Sequence, residues 1–199
     1  MSRRVAFATL GCRLNQVDTQ QLQAGLEACG FESVPLDAPA DVVVVNTCTV
    51  TARAELSDRQ AIRRARRANP GARVVVTGCW AQTSPGDVAR VGGVDLVVGN
   101  ADKARLPELV VALLAEPGGP PRVSVGDLAA ARLAVVDPRP RTAGRSRAAV
   151  KIQDGCQHRC AFCIVPFARG ASRSLAPAVV LDQVRRLVDA GHPEVVLTG

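Results

Sequence analysis

Cys156, Cys160 and Cys163 stand in a C-x3-C-x2-C spacing within "KIQDGCQHRCAFCIVPFARG", three thiols in eight residues directly after Gly155. Thiolates are soft donors that suit zinc and iron–sulfur clusters alike. A zinc ion that only holds a fold together is closed by four protein ligands, and His158 inside the loop could serve as the fourth. Cubane iron–sulfur clusters ordinarily take four cysteines. Held by three, such a cluster keeps one iron open to a substrate or cofactor, which makes sense of a trio without a partner. Three further cysteines, Cys12, Cys48 and Cys79, are far apart in sequence but each follows an apolar run: "RVAFATLGC", "DVVVVNTC" and "RVVVTGC". Cys29, just before Gly30, reads as a small packing residue.

The elements that must carry these residues alternate. "RVAFATLG", "ADVVVVNTC", "ARVVVTGC" and "DLVVGN" are short β-branched runs bounded by turn residues, and "VDTQQLQAGLEACG" and "TARAELSDRQAIRRARRANPG" have helical patterning. Continuous apolar strands separated by crossover helices predict an α/β domain with a doubly wound parallel sheet over residues 1–116. Asp18 or Thr19 is expected to cap the first helix, Gly30 to end it, and "NPG" to stop the second. Residues 117–147, rich in Pro, Gly and Arg, read as a linker with a short strand at "RVSVGD". A second unit over residues 148–199 has the strand "AAVKIQD", the cysteine loop, the helix "APAVVLDQVRRLVDAG" and the strand "EVVLTG". So few βα units cannot cover their own sheet edges, so this unit reads as the truncated start of a (βα) barrel. Cys12, Cys48 and Cys79 fall at the carboxyl ends of predicted parallel strands, the edge where open α/β sheets hold ligands. Asn15, Gln16 and Asn46 beside them are candidates for ordering those loops.

Composition narrows the class. Of 199 residues 47% are hydrophobic, enough for a globular core, and no apolar run approaches the length of a membrane span. No secretory signal is evident at the start, so the expected location is the cytosol, where clustered cysteines serve as metal ligands or catalysts more than as disulfides. A monomer is expected. The net charge of +7 suits an approach to nucleic acid, although 23 Arg against two Lys is also what a genome rich in G and C would produce. Arg59, Arg63, Arg66 and Arg67 share one helix face, either as a solvated surface or as a contact for an RNA backbone. Four Phe, one Trp and no Tyr exclude an extended base-stacking platform.

"CQHRCAFC" resembles the signature of radical S-adenosylmethionine enzymes, and "TLGCRLNQVDTQ", "NTCTVTARAE" and "VVVTGCWAQ" resemble the amino-terminal domain of the methylthiotransferases. "GCRLNQ" with "NTCTVT" is most similar to the branch that methylthiolates threonylcarbamoyladenosine in tRNA. The resemblance implies two 4Fe-4S clusters. Cys156, Cys160 and Cys163 would hold the one that binds S-adenosylmethionine, with Phe162 near its adenine; Cys12, Cys48 and Cys79 would hold the one that carries the sulfur to be inserted. It implies a tRNA substrate modified at carbon 2 of adenosine 37, an electron donor, a sulfur donor, and two trios that face a shared cavity. "VPFARGASRS" resembles the family's Pro, Arg-Gly and Arg-Ser pattern, with Leu175 departing from it. Relatives continue through more of the barrel and an RNA-binding domain, so the chain by itself is expected to be inactive. The alternatives are a methylthiotransferase for isopentenyladenosine or for a ribosomal protein, and a zinc-binding module that contacts RNA.

Overall fold

A computed structural model describes residues 2–49, 52–131 and 147–199. The first unit runs β1 (Arg3–Thr9), α1 (Arg13–Ala28), β2 (Phe31–Val34), β3 (Val42–Thr47), α2 (Ala52–Ala68), β4 (Arg73–Gly78), α3 (Cys79–Thr83), α4 (Pro85–Ala89), β5 (Leu96–Val98), α5 (Leu106–Ala115) and β6 (Arg122–Ser124). Its six strands are all parallel, in the order β2-β1-β3-β4-β5-β6. β3 shows why. All six of its residues are buried, because both faces of a parallel sheet are covered. Val43 and Val45 meet Ile62, Ala65 and Trp80 on one side, while Val42 and Val44 meet Leu22, Leu26, Leu106 and Val110 on the other. β6, within the stretch read as linker, hydrogen-bonds to β5 and carries the sheet past residue 116.

The helix starts differ from expectation. α1 begins at Arg13 with Cys12 as its N-cap, so Asp18 and Thr19 lie inside the helix, both buried, and cap nothing. The polar run "RLNQ" concealed its first turn, yet Val17, Leu22 and Leu26 set its buried face. Cys29 is the C-cap and is exposed, not packed: the chain turns at Gly30 on the solvent side.

The second unit comprises β7 (Arg147–Lys151), β8 (Gln153–Asp154), α6 (Val165–Arg169), β9 (Arg173–Ser174), α7 (Pro177–Asp189) and β10 (Glu194–Thr198). β7 and β10 pair in parallel, joined by a crossover that includes α7, whose Leu187 packs on Ala148 and Val150. The short antiparallel pair β8–β9 closes the base of the cysteine loop.

Candidate metal centres at the junction of the two units

The order of strands puts a switch point between β1 and β3, since the chain moves from β1 outward to β2 and then back across to β3. Crevices at such points, beyond the carboxyl ends of strands, are where this architecture binds ligands. Cys12 follows β1, Cys48 follows β3 and Cys79 follows β4. The register makes them neighbours: Thr9 pairs with Asn46, and Thr47 pairs with Gly78, immediately before Cys48 and Cys79. Gly11 has φ +89° and sits so close to Cys48 that a β-carbon there would lie 2.7 Å from its sulfur. Only glycine fits both that conformation and that approach.

Polar side chains fasten this rim. Asn15 donates to the carbonyls of Leu10 (2.8 Å) and Thr47 (2.9 Å), and Asn46 donates to the carbonyl of Asn15 (2.9 Å). The Cys48 N–H donates to Asp58 (3.1 Å), whose carboxyl burial pushes up to about 7. Asn100 donates to the Cys79 sulfur (3.8 Å) and to the Ala168 carbonyl (2.7 Å), so one amide spans the two units.

The second trio lies on the loop between β8 and α6. Cys156 and Cys163 are half-buried and Cys160 is exposed. Gly155 has φ +80°, and a β-carbon on it would lie 2.3 Å from the Ala171 carbonyl oxygen, so the entry to the loop requires glycine. The Cys156 N–H donates to the Gly170 carbonyl (2.9 Å). Phe162 is 93% exposed, which removes buried packing as an account of it and leaves its ring open beside the thiols. His158 on the same loop is exposed. A cleft of about 200 Å³ between α1 and the β7–β10 pair is lined by Arg13, Gln16, Gln20 and Arg147 among others, and none of the six candidate cysteines is in its wall.

Neither trio is drawn into a ligating group: among the described residues no three His, Cys, Asp or Glu side chains are gathered closely enough to hold a metal ion. The donor sets fit iron–sulfur chemistry nonetheless. Each offers three thiols on loops whose backbones are fixed by glycine approaches and amide hydrogen bonds.

Between the trios is a buried ionic cluster that sequence reasoning missed. Asp18 accepts from Lys103 (2.9 Å), Lys151 (2.5 Å) and Arg169 (3.1 Å), and Asp154 accepts from Lys151 (3.2 Å) and Arg169 (2.8 Å). Burial alone would raise the Asp18 carboxyl, but Lys103, Lys151 and Arg169 outweigh it and hold it well below the carboxylate range. Burial likewise opposes ionisation of Asp154, and Arg169 and Lys151 reverse that. Lys103 is held below the ordinary ammonium value because burial wins over the pull of Asp18. Burial works against Arg169 too, yet Asp18, Cys79 and Asp154 together raise it above the ordinary guanidinium value. A sequence signal did exist: Arg169 falls in the "VPFARG" pattern, and the two lysines are the only ones in the chain.

The arginine face of α2 is divided. Arg66 folds back onto the carbonyls of Pro70, Ala72 and Gly93 and onto Asp95, joining the helix end to the next strands. Arg59 stacks over the Trp80 ring at 4.7 Å. Arg63 and Arg67 are exposed.

Residues 4–99 match the family described as "Uncharacterized protein family UPF0004", and residues 150–199 match the "Radical SAM superfamily". The chain is 43% identical to the threonylcarbamoyladenosine tRNA methylthiotransferase MtaB of Bacillus subtilis over 195 residues, which covers 98% of this chain and 43% of that protein. It is 42% identical to the MtaB of Aquifex aeolicus, covering 98% of this chain and 47% of the other. It therefore spans a little under half the length of these curated relatives. The fold is shared with a solved radical S-adenosylmethionine methyltransferase, TsrM from Kitasatospora setae, at a TM-score of 0.65 and 20% identity, over 100% of this chain and 48% of that one. Both domain types thus stand in this order, and over nearly its whole length the chain is similar to tRNA methylthiotransferases.

Proposed function

We propose that this chain is the part of a tRNA methylthiotransferase that carries both metal centres, and that the whole enzyme adds a methylthio group to carbon 2 of threonylcarbamoyladenosine at position 37. In this reading Cys156, Cys160 and Cys163 hold one 4Fe-4S cluster, with S-adenosylmethionine on its open iron and Phe162 beside the adenine. Cys12, Cys48 and Cys79 hold the other, which carries the sulfur. When bound, these groups supply the radical chemistry that an aromatic C–H bond demands, since it offers neither an acidic proton nor a leaving group. The chain's own residues present the thiolates, fix the strand ends and hold the two sites at one junction, which lowers the entropic cost of bringing sulfur and carbon together. tRNA and donors of electrons and sulfur are the partners this requires.

The observation that carries the reading is the placing of Cys12, Cys48 and Cys79 on adjacent strand ends, in a chain whose second unit has the C-x3-C-x2-C loop. Anaerobic purification with iron, sulfide and zinc analysis tests it. About eight irons per chain, falling by about half when either trio is changed to alanine, is expected for two cubane clusters. Zinc without iron would overturn it. For the substrate, loss of the methylthio group from tRNA in cells without the intact gene is expected; its loss from a ribosomal protein instead would refute the tRNA assignment.

A further inference from the structure

We propose that Arg169 is a positioning residue: it clamps the cysteine-bearing rim of the first unit onto the cysteine loop of the second, with Ala168, Arg169 and Gly170 forming the strut between them. Each residue of this tripeptide reaches a different part of the two sites. The Ala168 carbonyl accepts from Asn100 (2.7 Å), whose amide also meets the Cys79 sulfur. The Gly170 carbonyl accepts from the Cys156 N–H (2.9 Å). Arg169 donates to the side-chain oxygen of Asn15 at 2.6 Å. Asn15 in turn holds the carbonyls of Leu10 and Thr47, just ahead of Cys12 and Cys48. The end of α6 thus touches the supports of all three first-unit cysteines, while Gly170 just after it fixes the first cysteine of the other trio.

The strut is buried and charged, and this gives it rigidity. Arg169 is 3% exposed and forks between Asp154 at 2.8 Å and Asp18 at 3.1 Å. A guanidinium held by two carboxylates and an amide has one permitted orientation, which a flexible ammonium would not have. The chain has 23 Arg and only two Lys, and both lysines sit on Asp18. In a composition so biased to arginine, two compact ammonium groups beside one guanidinium fit where three forks would crowd.

The cluster is also unbalanced, with three cations against two carboxylates. Burying an uncompensated charge is costly. The Cys79 sulfur stands on the same bracket, 3.8 Å from the Asn100 amide that also meets the Ala168 carbonyl. A thiolate-held cluster on Cys79 would complete the balance, and the cations would make it easier to reduce; this step rests on the proposed function, whereas the clamp does not.

Arg169→Gln and Arg169→Lys in the 199-residue chain test both parts. Without iron, amide hydrogen exchange is expected to quicken about tenfold or more in Arg169→Gln at residues 8–12, 47–49 and 155–157 together, as befits a lost hydrogen bond to a charged group. Exchange that quickens only in the second unit, or nowhere, overturns the clamp. If Arg169→Gln fails to fold, Asn100→Ala removes one bracket without disturbing a buried ion; the clamp predicts faster exchange at residues 78–81 and 166–169 together, and faster exchange on one side only refutes it. After anaerobic reconstitution, a potentiometric titration followed by electron paramagnetic resonance should show one cluster shifted to more negative potential in Arg169→Gln and restored in Arg169→Lys, while exchange in Arg169→Lys stays fast. Coupled exchange in a chain that takes up no iron would sink the proposed function and leave the clamp standing. Two loaded clusters with unchanged exchange and potential would do the reverse.

Discussion

Asp18→Asn isolates the energetic weight of the buried cluster. The side chain is 2% exposed and receives hydrogen bonds from three cations, so the substitution keeps its volume and one acceptor oxygen while deleting the charge. Lys151 and Arg169 then keep Asp154, while Lys103 loses the carboxylate it pairs with. Removing one partner from a buried ionic group costs about 3–5 kcal/mol. Because no cavity is opened, the lower end is expected, about 3 kcal/mol out of a total near 5–15 kcal/mol. For a chain of this size that corresponds to a midpoint lowered by about 6–12 °C. Chemical denaturation of the apo chain at neutral pH, with thermal melts beside it, measures the loss. The control is Asp182→Asn, which breaks the exposed pair with Arg186 and should cost no more than about 0.5 kcal/mol. High salt should erase the control's effect and leave most of the Asp18→Asn deficit, since buried charges are poorly screened. The deficit should also shrink as pH rises, because Lys103, already pushed toward its neutral form by burial, can shed its proton once its carboxylate is gone. A loss under about 1 kcal/mol, or one that salt abolishes, would show that the cluster is not a tightly held buried network.

Asp18 and Asp154 both titrate below their ordinary values, so their contribution to stability is present above the unfolded carboxylate value near 4 and is lost as pH falls through the lower folded values. Acid unfolding of the native chain should therefore steepen below about pH 4, and Asp18→Asn should flatten that limb; identical slopes would contradict the assignment. Gly155→Ala forces a β-carbon against the Ala171 carbonyl at a positive φ, so it should cost about 1–3 kcal/mol locally and lower the iron held by the second trio while the first keeps its share, as iron analysis would reveal. Arg66→Ala removes four carbonyl contacts and the Asp95 pair and should destabilise by about 1–3 kcal/mol, whereas Arg63→Ala should leave stability unchanged; if the arginine face of α2 contacts RNA under the proposed function, Arg63→Ala should weaken tRNA binding more at low salt than at high salt, and an unchanged affinity would make the face a solvated surface.

The layout of the first unit is legible in its strands. "VVVVNTC" and "VVVTGC" declare buried parallel strands by their continuous β-branched runs, and their cysteines fall at the sheet edge because each strand stops where the apolar run stops. The glycines that let the strand ends and loops approach one another are visible as residues, though not what they press against. The junction is a different matter. Asp18, Lys103, Asp154 and Arg169 look like four surface charges, since local sequence does not reveal that partners up to 151 positions apart will bury them together. Asp favours helix caps, which points to Asp18 as one, but tertiary pairing with Lys103, Lys151 and Arg169 overrides that local preference. The arginine periodicity of α2 was sound as geometry yet incomplete as function, because Arg66 spends its donors on the loops that follow its own helix.

The placing of both lysines has a practical side. Lys103 and Lys151 are the chain's whole supply of ε-amines, and each is largely withdrawn from water against Asp18. In the native state an acylating reagent meets almost no target other than the α-amino group, and each modified lysine marks a moment when the junction has opened. The pace of that acylation is thus a clock for the parting of the two units, written into the chain without any added label.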